Sequence, residues 1–165
     1  MKNETRISSF PPIIDLNSRI LILGSVPGVK SLEMQQYYAH PQNRFWKLLS
    51  EIFEEEFTTD YESRIGLLKR HHIALWDVID TCERKGSLDS DIRNEEANGI
   101  AELLENHPSI QAIFCNGQKS HKNLLRILGK EFQIPIFVLP STSPANAGIS
   151  YADKLQAWNK ITQFL

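Results

Sequence analysis

Tyr37, Tyr38, His40, Gln42, Asn43 and Arg44 crowd two aromatic rings, an imidazole, two amides and a guanidinium into one short stretch. Such a set can stack on a planar ring, donate to and accept from a polar edge, and hold an anion. A second set, Gly24-Ser25-Val26-Pro27-Gly28, offers backbone N–H groups that a ligand can approach with no Cβ in the way. A third, Pro140-Ser141-Thr142-Ser143-Pro144-Ala145-Asn146, sets small hydroxyls beside prolines, which suits gripping phosphates at a strand end or helix start. Each also has a plain structural reading. Gly24 and Gly28 can simply make a turn, Asn43 can cap a helix, Asp77 can cap the turn after a strand, and the serine-rich segment can be an ordinary polar loop.

The elements that position these groups follow from hydrophobic pattern. Ile20-Leu21-Ile22-Leu23 is an unbroken apolar run, so a strand buried on both faces is expected over about 19–24, ending in the glycine loop. Ser31 is the expected cap of a short helix through Tyr37, and Pro41 suits the first turn of the next, which should run to about Phe53 with Phe45, Leu48, Leu49 and Ile52 on its inner face. Residues 61–70 have helical spacing, and Ile73-Ala74-Leu75-Trp76 begins a second buried strand that ends at Asp77-Val78. Asp80 to Asn94 reads as an irregular polar excursion, longer than an idle connection needs. Ala97, Ile100, Ala101, Leu103 and Leu104 mark a helix that Pro108 cannot continue. Residues 110–115 form the third strand, a helix through Leu128 ends at Gly129, Ile134 to Leu139 is the fourth strand, and a helix bearing Leu155, Trp158 and Ile161 closes the chain. Residues 1–18, with Pro11-Pro12, are a lead-in across the first strand. Alternating strands and helices imply right-handed crossovers, hence an α/β fold: a three-layer α/β/α sandwich around a central four-stranded parallel sheet, in one domain spanning 1–165. All four strand ends then share one edge, and their trailing loops converge there.

Composition narrows the function classes. At 165 residues, with 41% hydrophobic and 23% charged residues, the chain has ordinary globular balance and no long apolar segment. No signal-type apolar core follows Met1, so a cytoplasmic protein is expected. Cys82 and Cys115 cannot by themselves build a zinc or iron–sulfur site, and no metal or cofactor is expected. A formal charge of −2 gives no global pull on nucleic acid and neither supports nor excludes binding it; any such binding would have to come from a local basic surface, for which Lys119, His121 and Lys122 are candidates.

The motifs together resemble the uracil-DNA glycosylase superfamily. Gly24-x-x-Pro27-Gly28, then Tyr38-Ala39-His40-Pro41-x-Asn43-Arg44-Phe45-Trp46, then Ser141-Thr142-Ser143-Pro144-Ala145-Asn146 follow its order along nearly the whole chain. The His-Pro-x-Asn-Arg-Phe-Trp string is the specific part. Among its branches the mismatch-specific and hypoxanthine-DNA glycosylases look nearest, and the hypoxanthine branch shares Gly-Ser-x-Pro-Gly and an aliphatic-Trp-Asp strand end. There is one departure. Where mismatch-specific members have a catalytic asparagine before the loop proline, this chain has Val26, which can neither orient water nor stabilise charge.

The resemblance implies a metal-free, monofunctional hydrolase that flips a deaminated base out of double-stranded DNA, hypoxanthine (deoxyinosine) first, and leaves an abasic site. It implies that Tyr38 stacks on the base, that Asn43 places the water or assists the leaving base, and that Gly24, Ser25, Pro27, Gly28, Trp76 and Asp77 form the base pocket. Asp77 would accept from N1–H of hypoxanthine, a donor that adenine lacks. Ser141, Thr142, Ser143, Pro144, Ala145 and Asn146 would grip flanking phosphates and fill the gap in the duplex. Lys30 is the one nearby lysine to check as a Schiff-base nucleophile. A monomer that hands its product to abasic-site repair enzymes is expected. Two other readings stay open at this point: a uracil or mismatch-specific glycosylase, and a catalytically silent lesion-binding protein motivated by Val26.

Overall fold

The computed structural model describes residues 6–129 and 132–165. Strand β1 is Arg6–Ser8 and β2 is Ile20–Gly24, whose residues are all buried. Helix α1 is Val29–Met34, α2 is Phe45–Ile52 and α3 is Tyr61–Arg70. Strands β3 (Ile73–Asp77), β4 (Ile79–Glu83) and β5 (Arg93–Ala97) lead to helix α4 (Ile100–Asn106), and β6 is Ala112–Asn116. Helix α5 (Gln118–Leu128), strand β7 (Ile136–Leu139) and helix α6 (Tyr151–Trp158), followed by a tight turn of helix to Phe164, complete the order.

The central sheet has four parallel strands in the order β3-β2-β6-β7. The apolar runs require this arrangement, because strands buried on both faces need helices above and below. One face packs Ile20, Ile22 and Leu75 against Phe45, Leu48, Leu49, Leu68 and Trp158, from α2, α3 and α6. The other packs Leu21, Leu23 and Ile113 against Ile100, Leu104 and Leu124, from α4 and α5. The expected three-layer sandwich is therefore present.

Several local expectations are corrected. The excursion from Asp80 to Asn94 is not wholly irregular: β4 pairs antiparallel with β1 and with β5, making a second, three-stranded sheet. Ala97 ends β5, and helix α4 starts only at Ile100. The lead-in bonds to β3 and β4, through the bridge Ile13–Leu75 and the pairing of β1, where a path across β2 was expected. Ser31 does not cap α1. It lies inside the helix, and its hydroxyl accepts the Ala39 N–H at 3.1 Å, while Gly28 stands at the cap and the helix ends at Met34. Pro41 precedes α2 by a turn, and the helix begins at Phe45. Cys82 and Cys115 are buried and unbonded to each other. Among the described residues no helix is long and apolar enough to cross a membrane.

Candidate functional site

The loops after β2, β3, β6 and β7 meet at one sheet edge around a cavity of about 810 Å³. Gly24, Ser25, Pro27, Gly28, Tyr38, His40, Asn43, Asp77, Asn116, Ser141 and Ser143 all line it, so segments far apart in the chain converge as expected.

Asp77 and Tyr38 form its inner wall. Asp77 is the last residue of β3, 3% exposed, and its Oδ2 has no hydrogen-bond partner among the described residues. Burial pushes its carboxyl up to about 7, with the Asp89 charge adding to the rise and Arg84 opposing it. Its position is fixed by Asn98, whose amide donates to the Asp77 carbonyl at 2.8 Å and to the Ile79 carbonyl at 3.2 Å. A buried carboxylate oxygen left without a partner costs stability, so it marks a place where a ligand donor is met.

Tyr38 stacks on Phe45, ring centres 4.2 Å apart and planes tilted by 25°. Its hydroxyl is also buried and unpartnered among the described residues, and burial followed by the Asp77 charge holds its pKa well above the usual phenol range. The residue sits at φ 53°, a left-handed backbone that costs a non-glycine residue about 1 kcal/mol or more. Trp46 supports the turn by donating its indole N–H to the Tyr37 carbonyl at 2.9 Å.

Asn43 stands at the start of α2 and lines the cavity. Its Oδ1 accepts the Phe45 N–H at 2.9 Å and so starts α2, while its amide NH2 donates to none of the described residues and faces the cavity lining. His40 Nδ1 accepts the Gln42 N–H at 3.1 Å, which shapes the same turn.

Trp76 is placed outside the cavity, and Thr142 lines it with its side chain already bonded. Neighbours in a strand point to opposite faces, so Trp76 packs with the Leu21–Leu23 side of the core and donates its indole N–H to the Phe10 carbonyl at 3.0 Å. Thr142 does line the cavity, yet it is fully buried. Its N–H donates to Asn116 Oδ1, and its hydroxyl accepts from Asn116 Nδ2, both at 3.0 Å, so it joins the β6 and β7 ends and is not exposed to a phosphate. Ser141 and Ser143 remain partly exposed, and Pro144 and Ala145 are at the surface. Internal bonds hold this loop: Ser143 N–H to Ser141 Oγ and Ala145 N–H to Ser143 Oγ, both 3.2 Å, and the Asn146 amide to the Ser141 carbonyl at 3.1 Å. Gly117, at φ 97°, passes so close that a Cβ there would lie 3.1 Å from the Ser141 Cβ.

Among the residues singled out beside the motifs, Lys30 is exposed and paired with Glu33 at 3.7 Å, and Lys119 is paired with Glu95 at 2.8 Å. Val26 packs into the core with Leu23 and Val78. The groups that motif reading missed come from the segment between β4 and β5. Arg84, 5% exposed, donates to the Pro27 carbonyl at 2.7 Å and also to the Gly86 carbonyl. Ser87 Oγ accepts the Val29 N–H at 2.9 Å, and Ser25 donates its hydroxyl to Asp89 at 2.7 Å. The length of the segment was the one signal in the sequence that it served a purpose.

The chain is similar to known proteins in sequence and fold. Residues 11–162 match the model of the uracil DNA glycosylase superfamily. A hypoxanthine DNA glycosylase of Methanosarcina barkeri is 43% identical over 140 residues, covering 83% of this chain and 86% of that one. A G/U mismatch-specific uracil DNA glycosylase of Schizosaccharomyces pombe is 27% identical, covering 96% of this chain and 55% of that one. The solution NMR structure of a candidate uracil DNA glycosylase from Methanosarcina acetivorans superposes with a TM-score of 0.80 at 38% identity, over 94% of this chain and 96% of that one.

Proposed function

We propose, from the premise that this chain belongs to the uracil DNA glycosylase superfamily, that it removes hypoxanthine from DNA by hydrolysing the N-glycosidic bond of deoxyinosine. The observation that carries the substrate choice is the buried Asp77 carboxylate with its unpartnered Oδ2 on the cavity wall. An ionised carboxylate accepts the N1–H of hypoxanthine and repels the bare N1 of adenine, a difference worth a few kcal/mol in a buried site. The relatives named hypoxanthine DNA glycosylase support the same reading.

In this reading the flipped base enters between the loops, with its edge toward Asp77 and its face against Tyr38, whose other face rests on Phe45. The Asn43 amide donates to the departing base or places the water. Negative charge grows on the base as the bond lengthens, so a fixed donor beside it lowers the barrier without metal. Ser141 and Ser143 hold the flanking phosphates, and Pro144, Ala145 and Asn146 stand where the duplex is opened. Expelling the nucleotide costs a few kcal/mol, least for a poorly paired base, which favours deaminated bases over normal ones. The product is an abasic site for downstream repair enzymes.

End-labelled duplexes carrying one deoxyinosine, deoxyuridine or deoxyxanthosine, treated with the protein and then alkali, test the reading. Strand scission at deoxyinosine is expected. Scission at deoxyuridine alone, or none in any duplex, overturns it.

A further inference from the structure

Hydrolysis at a sugar carbon needs a group that can take a proton from the attacking water and face the positive charge that develops there. Val26 is packed in the core and supplies none. The carboxylates that line the cavity are those of Asp77 and Asp89. Asp77 is buried on the inner wall, where the base edge lies in the reading proposed above, on which this inference rests. The sugar must then lie toward the opening, since the DNA strand continues outside. Asp89 is there, exposed to solvent yet part of the cavity lining.

Its placement is held from several sides. Ser25 donates to Asp89 Oδ1 at 2.7 Å, while Oδ2 has no partner among the described residues. The segment that carries it is tied to the 24–29 loop by Arg84 on the Pro27 carbonyl and by Ser87 on the Val29 N–H. Side chains fixed in advance in this way need little reorganisation during reaction. An exposed carboxylate facing a polyanion also weakens DNA binding, a cost that a role in the reaction offsets.

We propose that Asp89, seated on Ser25 at the opening of the base pocket, is the catalytic carboxylate of this glycosylase. The water oxygen bonds to C1′ of the deoxyribose as the C1′–N9 bond breaks, and the electron pair of that bond leaves on the purine. The Asp89 carboxylate takes the proton of the water and passes it to solvent or to the departing base, so that hypoxanthine and a C1′-hydroxyl sugar are formed.

The test compares wild type, Asp89→Asn and Asp91→Asn in single-turnover excision from a deoxyinosine duplex, with duplex affinity measured separately. Asp91 lies on the same short turn but does not line the cavity, so its variant controls for loss of one negative charge. Asp89→Asn should lose at least ten-fold in rate, and on the order of a hundred-fold is expected for a general base. Both variants should bind the duplex as tightly as wild type or more tightly, and Asp91→Asn should keep its rate. A loss below about ten-fold in Asp89→Asn, or an equal loss in Asp91→Asn, overturns the assignment while leaving the glycosylase reading intact. An inactive wild type overturns both.

Discussion

The Tyr38 hydroxyl and the Asp77 carboxylate converge on the same point of the backbone: a Cβ placed on Gly24 would lie 2.7 Å from Tyr38 Oη and 2.6 Å from Asp77 Oδ1. The two buried polar groups thus share a wall that only glycine leaves open. Gly24→Ala must displace one or both, since contacts under 3.0 Å are not tolerated. Excision of hypoxanthine should fall by at least about ten-fold, or roughly 1.4 kcal/mol of barrier, with a lower melting temperature. Single-turnover kinetics and thermal unfolding of the variant check this.

Asn43 carries on one side chain an acceptor for the Phe45 N–H and an amide that donates to none of the described residues, and two substitutions separate them. Asn43→Ala should lose about a hundred-fold or more in excision rate, roughly 2.7 kcal/mol, together with about 1 kcal/mol of stability from the lost hydrogen bond to the Phe45 N–H. Asn43→Asp keeps an oxygen for the Phe45 N–H and loses the amide N–H donors, so it should lose the rate and keep the stability. Parallel denaturation and rate measurements distinguish the two effects. Full activity in Asn43→Asp would remove the amide from the mechanism.

Burial raises the folded-state value of Asp77 from 3.8 to about 7, so the native chain holds a proton that the unfolded chain has released across that interval. Stability therefore declines as pH rises through the window, and the full penalty is present above about pH 7. Asp77→Asn should be more stable than wild type at pH 8, with the difference shrinking toward pH 4. Reading hypoxanthine requires the ionised form, so wild-type kcat/KM on deoxyinosine should rise with pH through about 7. Asp77→Asn should lose that limb and discriminate less against adenine, because an amide can match either base. A pH series on both proteins, by thermal unfolding and by excision, checks all three signs.

Thr142 is predicted to matter for folding. Thr142→Val removes the acceptor of the Asn116 amide N–H in a fully buried place, at a cost of about 1–3 kcal/mol. Chemical denaturation should show the loss, and Thr142→Ser should restore most of it. Equal stability of the valine variant would contradict the view that this pair joins the β6 and β7 ends.

The central sheet was legible because its strands are short apolar runs that need cover on both faces. The small sheet was not. Arg93–Ala97 is an exposed polar edge strand held through its backbone, so periodicity says nothing about it. The motifs correctly gathered Gly24, Tyr38, Asn43, Asp77 and Ser141 into one cavity. They misplaced Trp76, since adjacency in the chain is opposition across a strand, and they put Thr142 at the cavity without showing its bonds to Asn116, since a hydroxyl residue in a polar loop gives no sign of a distant asparagine partner. Asp89 belonged to no motif; its place in the cavity lining and its tie to Ser25 reveal it.

The most direct test of hypoxanthine excision is chromatographic: incubate the protein with a duplex holding a single deoxyinosine and quantify the free base. One equivalent of hypoxanthine per duplex is expected, with no adenine from a matched deoxyadenosine control. An intact deoxyinosine duplex with no released base, at protein in excess over DNA, would contradict it.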